Sequence, residues 1–180
     1  MPIIAKRNSG GEFIAAPAGT HRAVLVDVVD LGLVEQTWNG KTKKAHKVRL
    51  VWQIDELMPD GRLFIVGNRY TLSLDPKANL RKLIEGWTGK AFSTELEAEG
   101  FDVETLIGDS CILTVTHREA NGSIFANVTG VAPLMKGMVP MKSVDYVRTI
   151  NRDGAAKPDA VQEYDERNPP PLDDDADLNF

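Results

Sequence analysis

The chain has 180 residues, 42% of them apolar, with 26 acidic against 21 basic residues and a formal net charge of −5. That length suits one ordinary domain with extensions, no apolar run approaches the roughly 20 residues that span a bilayer, and the start MPIIAKRNSGGEF lacks a secretory pattern. A lone cysteine, Cys111, excludes an intramolecular disulfide framework and a cysteine-rich zinc site, and points to reducing, cytoplasmic surroundings.

Residues 1–19 are small and polar, broken by Gly and Pro, and are expected to form a flexible arm. Arg22 to Leu33 is rich in Val and Leu and reads as a long strand. Gln36 to Lys44 follows, with Asn39-Gly40 as a hairpin turn signal. The second strand, Ala45 to Asp55, alternates. Val48, Leu50, Trp52 and Ile54 fall on one face, and Lys47, Arg49, Val51 and Gln53 on the other. A turn at Pro59-Asp60-Gly61 leads to a third strand, Arg62 to Leu72.

Asp75-Pro76 then reads as a helix start. Leu80, Leu83, Ile84 and Trp87 follow at helical spacing, and Gly86 and Gly89 close the helix. Residues 90–101 read as irregular and acidic. Asp102 caps a short turn that stops at Gly108. Two more strands, Ser110 to His117 and Ser123 to Val131, are joined at Asn121-Gly122. Met135, Met138 and Met141 follow, a stretch that reads as a partner strip or as packing on the domain and leaves a homo-oligomer open. Beyond Asn151 the chain reads as disordered.

Three strands, a helix, then a closing hairpin is the order of the OB-fold, a five-stranded barrel with its helix between strands 3 and 4. The expected class is therefore all-β with one or two short helices. The expected divisions are an arm at 1–19, an OB-fold domain at 20–134, a linker or barrel-packing segment at 135–158, and an acidic tail at 159–180.

Nothing in the chain advertises catalysis. His21, His46 and His117 form no zinc-type pair, and no phosphate-cradling glycine loop or nucleophile elbow occurs. Asp27 and Asp30 suggest a metal site or a small nuclease, but three apart on a strand they point to opposite faces. Cys111 lies in an apolar run and reads as an inert thiol. The expectation is a protein that is not an enzyme, with no metal or cofactor.

The basic hairpin is more informative. Lys41, Lys43, Lys44, Lys47 and Arg49 lie within nine residues, beside Trp38. Single-stranded nucleic acid demands cations that track phosphates and flat rings on which unpaired bases stack. Arg69 and Tyr70 on the third strand extend this surface, with Arg62, Phe64 and Phe125 as weaker additions. Trp52 and Trp87 share faces with aliphatic residues and belong to the core. The rival reading is a solvated turn on an OB-type adaptor that binds protein.

Charge is unevenly placed. Residues 159–180 hold eight acidic residues and one basic, a net of −7, so the remaining residues carry +2 of the total of −5. The end, PPPLDDDADLNF, has little to bury, yet it finishes on a large ring. Asp173, Asp174, Asp175 and Asp177, with Leu178 and Phe180, suit a partner pocket that is apolar and rimmed by cations. The same polyanion rivals a nucleic acid for the cationic surface.

This tail resembles that of bacterial and bacteriophage single-stranded DNA-binding proteins, which end in aspartates and a terminal phenylalanine. Their penultimate residue is usually proline, where this chain has Asn179. The body resembles phage-encoded OB-fold proteins of that kind. The likeness runs through Pro17-Ala18-Gly19-Thr20, Val28-Val29-Asp30-Leu31-Gly32, Lys47-Val48-Arg49-Leu50-Val51-Trp52, Tyr70-Thr71-Leu72-Ser73-Leu74, Leu80 to Lys90 and Leu106-Ile107-Gly108. The resemblance implies single-stranded DNA as ligand and action in phage replication or recombination in the host cytoplasm. It also implies a tail that recruits partner proteins.

Overall fold

A computed structural model describes residues 14–152; the tail, including Asp173, Asp174, Asp175, Asp177, Leu178 and Phe180, lies outside the described residues. Five antiparallel strands form one sheet: β1 (Gly19–Trp38), β2 (Lys41–Leu57), β3 (Leu63–Thr71), β4 (Ser110–Ala120) and β5 (Ser123–Ala132). Their spatial order is β3-β2-β1-β4-β5. Between β3 and β4 lie helix α1 (Asn79–Thr88), the short helix α2 (Thr94–Glu99) and a 3-10 turn at Val103–Leu106. No helix among the described residues is long and apolar enough to cross a membrane.

The expected barrel is not closed by a ladder. β3 and β5 form opposite ends of the strand order. They are bridged by a side chain, Asn68, whose Nδ2 donates to the Val128 carbonyl at 3.3 Å. Helix α1 lies against both strands and fills the gap with Leu80, Ile84 and Trp87, all buried. Its inner face meets Leu25, Leu50, Trp52, Val66, Leu113 and Val128 in the main core. Trp52 and Trp87 approach to 6.5 Å between ring centroids.

Strand lengths differ from the sequence reading: β1, β2, β4 and β5 run longer and β3 slightly shorter. β1 and β2 run on to a two-residue turn at Asn39-Gly40, both with positive φ (48° and 75°). That is the geometry of a tight hairpin turn, and the twist it favours lets the ladder continue to Trp38 and Lys41. The residues between Gln36 and Lys44 are thus mostly strand. β1 also carries two bulges, at Leu25/Asp27 and Asp30/Gly32. At the second, Gly32 has φ 67° and its N–H donates to Asp30 Oδ1 at 2.8 Å. Bulges bend a strand, which lets β1 serve β4 with its first third and β2 with the rest.

The helices also depart from expectation. α1 begins at Asn79, after Ala78 with no side-chain cap. Asp75 is engaged with Ser73 instead: its N–H donates to Ser73 Oγ at 3.2 Å, and its carbonyl accepts from the Ala78 N–H at 2.8 Å. Gly86 lies inside α1, where a Cβ would stand 3.3 Å from the Val131 carbonyl, so it serves close packing on β5. Gly89 ends the helix at φ 68°. Within the stretch read as irregular, α2 is tied down by Arg81, which contacts Glu85 at 3.0 Å and Glu97 at 2.7 Å.

The largest departure concerns the outer face of the sheet. On β2 every residue from Lys47 to Ile54 is buried, so the face bearing Lys47, Arg49, Val51 and Gln53 is not solvated. Residues 139–152 fold back across it as a strap. Met141 packs with Val24, Val26 and Val51, and Leu63, Ile65 and Tyr146 border them. The strap is held by its backbone. Gln53 exchanges two hydrogen bonds with Val144 (2.7 and 2.9 Å) and Ser110 two with Met141 (2.9 and 2.8 Å). Arg22 Nη1 donates to the Val139 carbonyl at 3.1 Å.

Candidate nucleic-acid interface

The cationic hairpin is built by strand alternation. Residues two apart on a strand share a face, so Lys41, Lys43, Lys47 and Arg49 form one row along the outer face of β2. Lys44 and His46 occupy the other side. There Lys44 Nζ meets Glu35 Oε1 at 2.9 Å and His46 Nε2 meets Asp30 Oδ1 at 2.6 Å. The five cations read together in the sequence therefore divide between two sides.

Within the row, exposure changes along the strand. Lys41 and Lys43 are exposed, whereas Lys47 is 2% and Arg49 7% exposed. Lys47 stands opposite Thr71 on β3 and its Nζ donates to Thr71 Oγ1 at 2.7 Å. Arg49 stands opposite Arg69. Burial, with the Arg69 charge beside it, pushes the Arg49 guanidinium down to about 10.

The aromatic expectations divide as well. Tyr70 is 6% exposed and belongs to the main core, as does Phe64, so a ring expected to stack bases is packed against the protein instead. Trp38 ends β1 opposite Lys41; its side chain lies outside the described set. Phe125 is half-buried on β5, and Arg62 is held by Asp60 at 2.7 Å. Trp52 and Trp87 are in the core.

Asp27, considered above for a metal, is 1% exposed and anchors the strap. Its carboxylate accepts from the Thr149 N–H at 2.7 Å, the Tyr146 hydroxyl at 3.2 Å and Arg148 Nε at 3.2 Å. Arg148 also reaches Glu104 Oε1 at 2.5 Å. Asp30, on the other side of β1, is kept below the usual carboxylate range by the Gly32 N–H and by His46. Among the described residues, no three His, Cys, Asp or Glu side chains gather as metal ligands. Of the histidines, His21 is buried, with Nε2 2.8 Å from the Pro17 carbonyl, and His117 Nε2 lies 2.7 Å from the Ala16 carbonyl.

The strap adds groups that local sequence patterns did not single out. Tyr146 borders the outer apolar cluster, and the Arg152 guanidinium lies 5.3 Å above its ring centroid. Burial, the Asp27 charge nearby and the hydrogen bond to it push the Tyr146 phenol up to about 12, so it is a neutral donor. The only sequence signal for these residues was an aromatic followed by two arginines after the last strand, with no periodicity to place them. Compared with protein-family models and with curated proteins, the chain matches none.

Proposed function

We propose that this chain binds single-stranded DNA without sequence preference and without catalysis. The domain is of OB type, acting in phage replication or recombination in the host cytoplasm. The observation that carries the reading is the row of cations along one face of β2, with Lys41 and Lys43 exposed at the ribbon tip and continuing into Lys47 and Arg49, which are buried, with Arg69 opposite Arg49. Within the row, Lys41 and Lys43, and again Lys47 and Arg49, stand about 7 Å apart (two strand residues), with Ala45 interrupting the line between the two pairs; paired cations of this kind can track an extended phosphate backbone. The five-strand order with a helix after β3 supports the OB assignment. The acidic tail is the recruiting element for partner proteins and a rival for the cationic row.

Titration of labelled oligo-dT at several salt concentrations tests this. About four neutralised phosphates give a log–log salt slope near −3. Removing residues 159–180 tightens binding at low salt and abolishes partner recruitment. Unchanged affinity on truncation removes the competitor role of the tail.

A second reading, a protein-binding adaptor, is favoured by one observation. Met135, Val139, Val144, Val147 and Ile150 expose between 53% and 72% of their surface, an apolar series along the strap and the segment leading into it. Absence of any oligo-dT shift at micromolar protein would favour it.

A further inference from the structure

We propose that the outward side of the strap is a docking surface for the acidic tail of the same chain. Leu172, Leu178 and Phe180 sit on the strap's aliphatic side chains, and the tail aspartates lie beside its lysines. This does not rest on the single-stranded DNA reading above, since it needs no nucleic acid.

A segment lying on a sheet has one side toward the sheet and one away from it. Met141 and Tyr146 take the first side, against the outer apolar cluster, and Asp27 draws Arg148 and the Thr149 N–H the same way. Left on the second side are Val139, Val144, Val147 and Ile150, each exposing between 53% and 72% of its surface. Lys142 is exposed among them, and Lys136 just before them. Single exposed aliphatic residues are ordinary, but four within twelve residues of one held segment form a patch. The patch is also pre-formed. Gln53 takes both backbone groups of Val144, and Ser110 both of Met141. At those residues the strap has no backbone left for an added strand, and it presents its side chains in a fixed frame that a ligand need not order.

Charge selects the occupant. Lys136 and Lys142 make no hydrogen bond or ion pair with a described residue. Residues 135–152 hold four basic residues and one acidic, a net of +3, against −7 for residues 159–180. A second strap would bring like charge to like charge, and a nucleic acid would meet aliphatic side chains in place of rings. The tail matches on both counts, with aspartates for the lysines and Leu172, Leu178 and Phe180 for the aliphatic groups. The lysine row on β2 offers the tail charge; the strap offers charge together with apolar surface. Tethering makes the contact intramolecular. Leu178 lies 26 residues beyond Arg152, a reach of up to roughly 86 Å, against the roughly 40 Å that the twelve strap residues can cover.

The test is NMR of the full chain, reading the Val139 and Val144 methyl groups on the strap and the Leu178 and Phe180 amides in the tail. Four variants are compared, each checked for folding by thermal unfolding: a tail variant (Leu172→Ser/Leu178→Ser/Phe180→Ser), a strap variant (Val147→Ser/Ile150→Ser), Lys136→Ala/Lys142→Ala and Lys41→Ala/Lys43→Ala. The tail variant is expected to shift the strap methyl groups. The strap variant is expected to move the tail amides to the positions of a free peptide PPPLDDDADLNF. A fluorescent form of that peptide, added to the tail variant, is expected to bind about tenfold more weakly once Val147→Ser and Ile150→Ser are added. Lys136→Ala/Lys142→Ala is expected to weaken it about threefold at low salt, a difference that vanishes at high salt. If the strap methyl groups are the same in parent and tail variant, the inference is overturned. It is overturned too if Lys41→Ala/Lys43→Ala frees the tail amides and the strap variant does not, because the tail then lies on the lysine row. Shifts that fade on tenfold dilution would assign the tail to a second copy and overturn the same-chain contact. A parent protein that gives no oligo-dT shift fails the DNA reading and leaves this inference standing.

Discussion

The two halves of the β1–β2 ribbon share one continuous ladder yet live in different surroundings. At its base, Ala23 to Val26 and Val48 to Ile54 are buried, with the main core on one side and the strap on the other. At its tip, Leu33 to Trp38 and Lys41 to Lys44 extend past both layers, and the lysines there are exposed. A strand covered on both faces approaches a continuous apolar run, while a solvated one does not. β2 contains both patterns in 17 residues. The base contributes stability and the tip contributes charge, so changes at the two ends should separate folding from binding.

The largest effect is expected at the base on the core side. Trp52→Ala empties a fully buried site beside Trp87 and should cost about 3–5 kcal/mol in denaturant unfolding. A loss below about 1 kcal/mol would mean that the two-layer description of the base is wrong. Next comes the strap side. Asp27→Ala removes one carboxylate from three donors and should cost about 3 kcal/mol. Amide exchange at Val144 and Thr149 should rise with it, since their N–H groups are tied to the sheet. If exchange there is unaltered, the strap is held by something other than Asp27.

At the tip the pattern reverses. Lys41→Ala with Lys43→Ala should alter stability by no more than about 0.5 kcal/mol. The same pair should flatten the oligo-dT salt slope by about 1.4, at about 0.7 per contact.

Two pH effects are smaller. Burial pushes the Cys111 thiol up to about 12, so it stays protonated and shielded at pH 8, and a thiol reagent should label it only as the protein unfolds. Because the folded value lies above the usual thiol value near 9.0, this group's stabilisation is complete below about pH 9 and is lost as pH climbs toward 12. Asp30 has the opposite sign. Its value is lowered, so its contribution is present above the ordinary carboxylate range and fades as pH falls through the lowered value. Asp30→Asn should therefore leave the tip less stable at neutral pH and change little in strong acid, as read by the His46 ring resonances.

Order and type of the five strands were legible in the amino-acid sequence because period-2 alternation and Asn-Gly turns are local signals. Leu80, Ile84 and Trp87 were legible as the buried face of α1 for the same reason, with a 3.6 period in place of 2. The row Lys41, Lys43, Lys47 and Arg49 also follows from alternation alone. What alternation could not decide was whether the second face of β2 meets water. That depends on Gln53 meeting Val144, 91 residues away, and on Asp27 meeting Thr149, 122 residues away. Tyr70 was misjudged for a related reason: its place in the core depends on pairing opposite Val48, while its own strand shows no strict alternation. Residue type and spacing determined the strands, the helix face and the charge row, since each arises between near neighbours on one element. Only the tertiary structure decided which cations stay wet, which ring is packed away and which distant segment covers the sheet, since burial is a property of what folds on top.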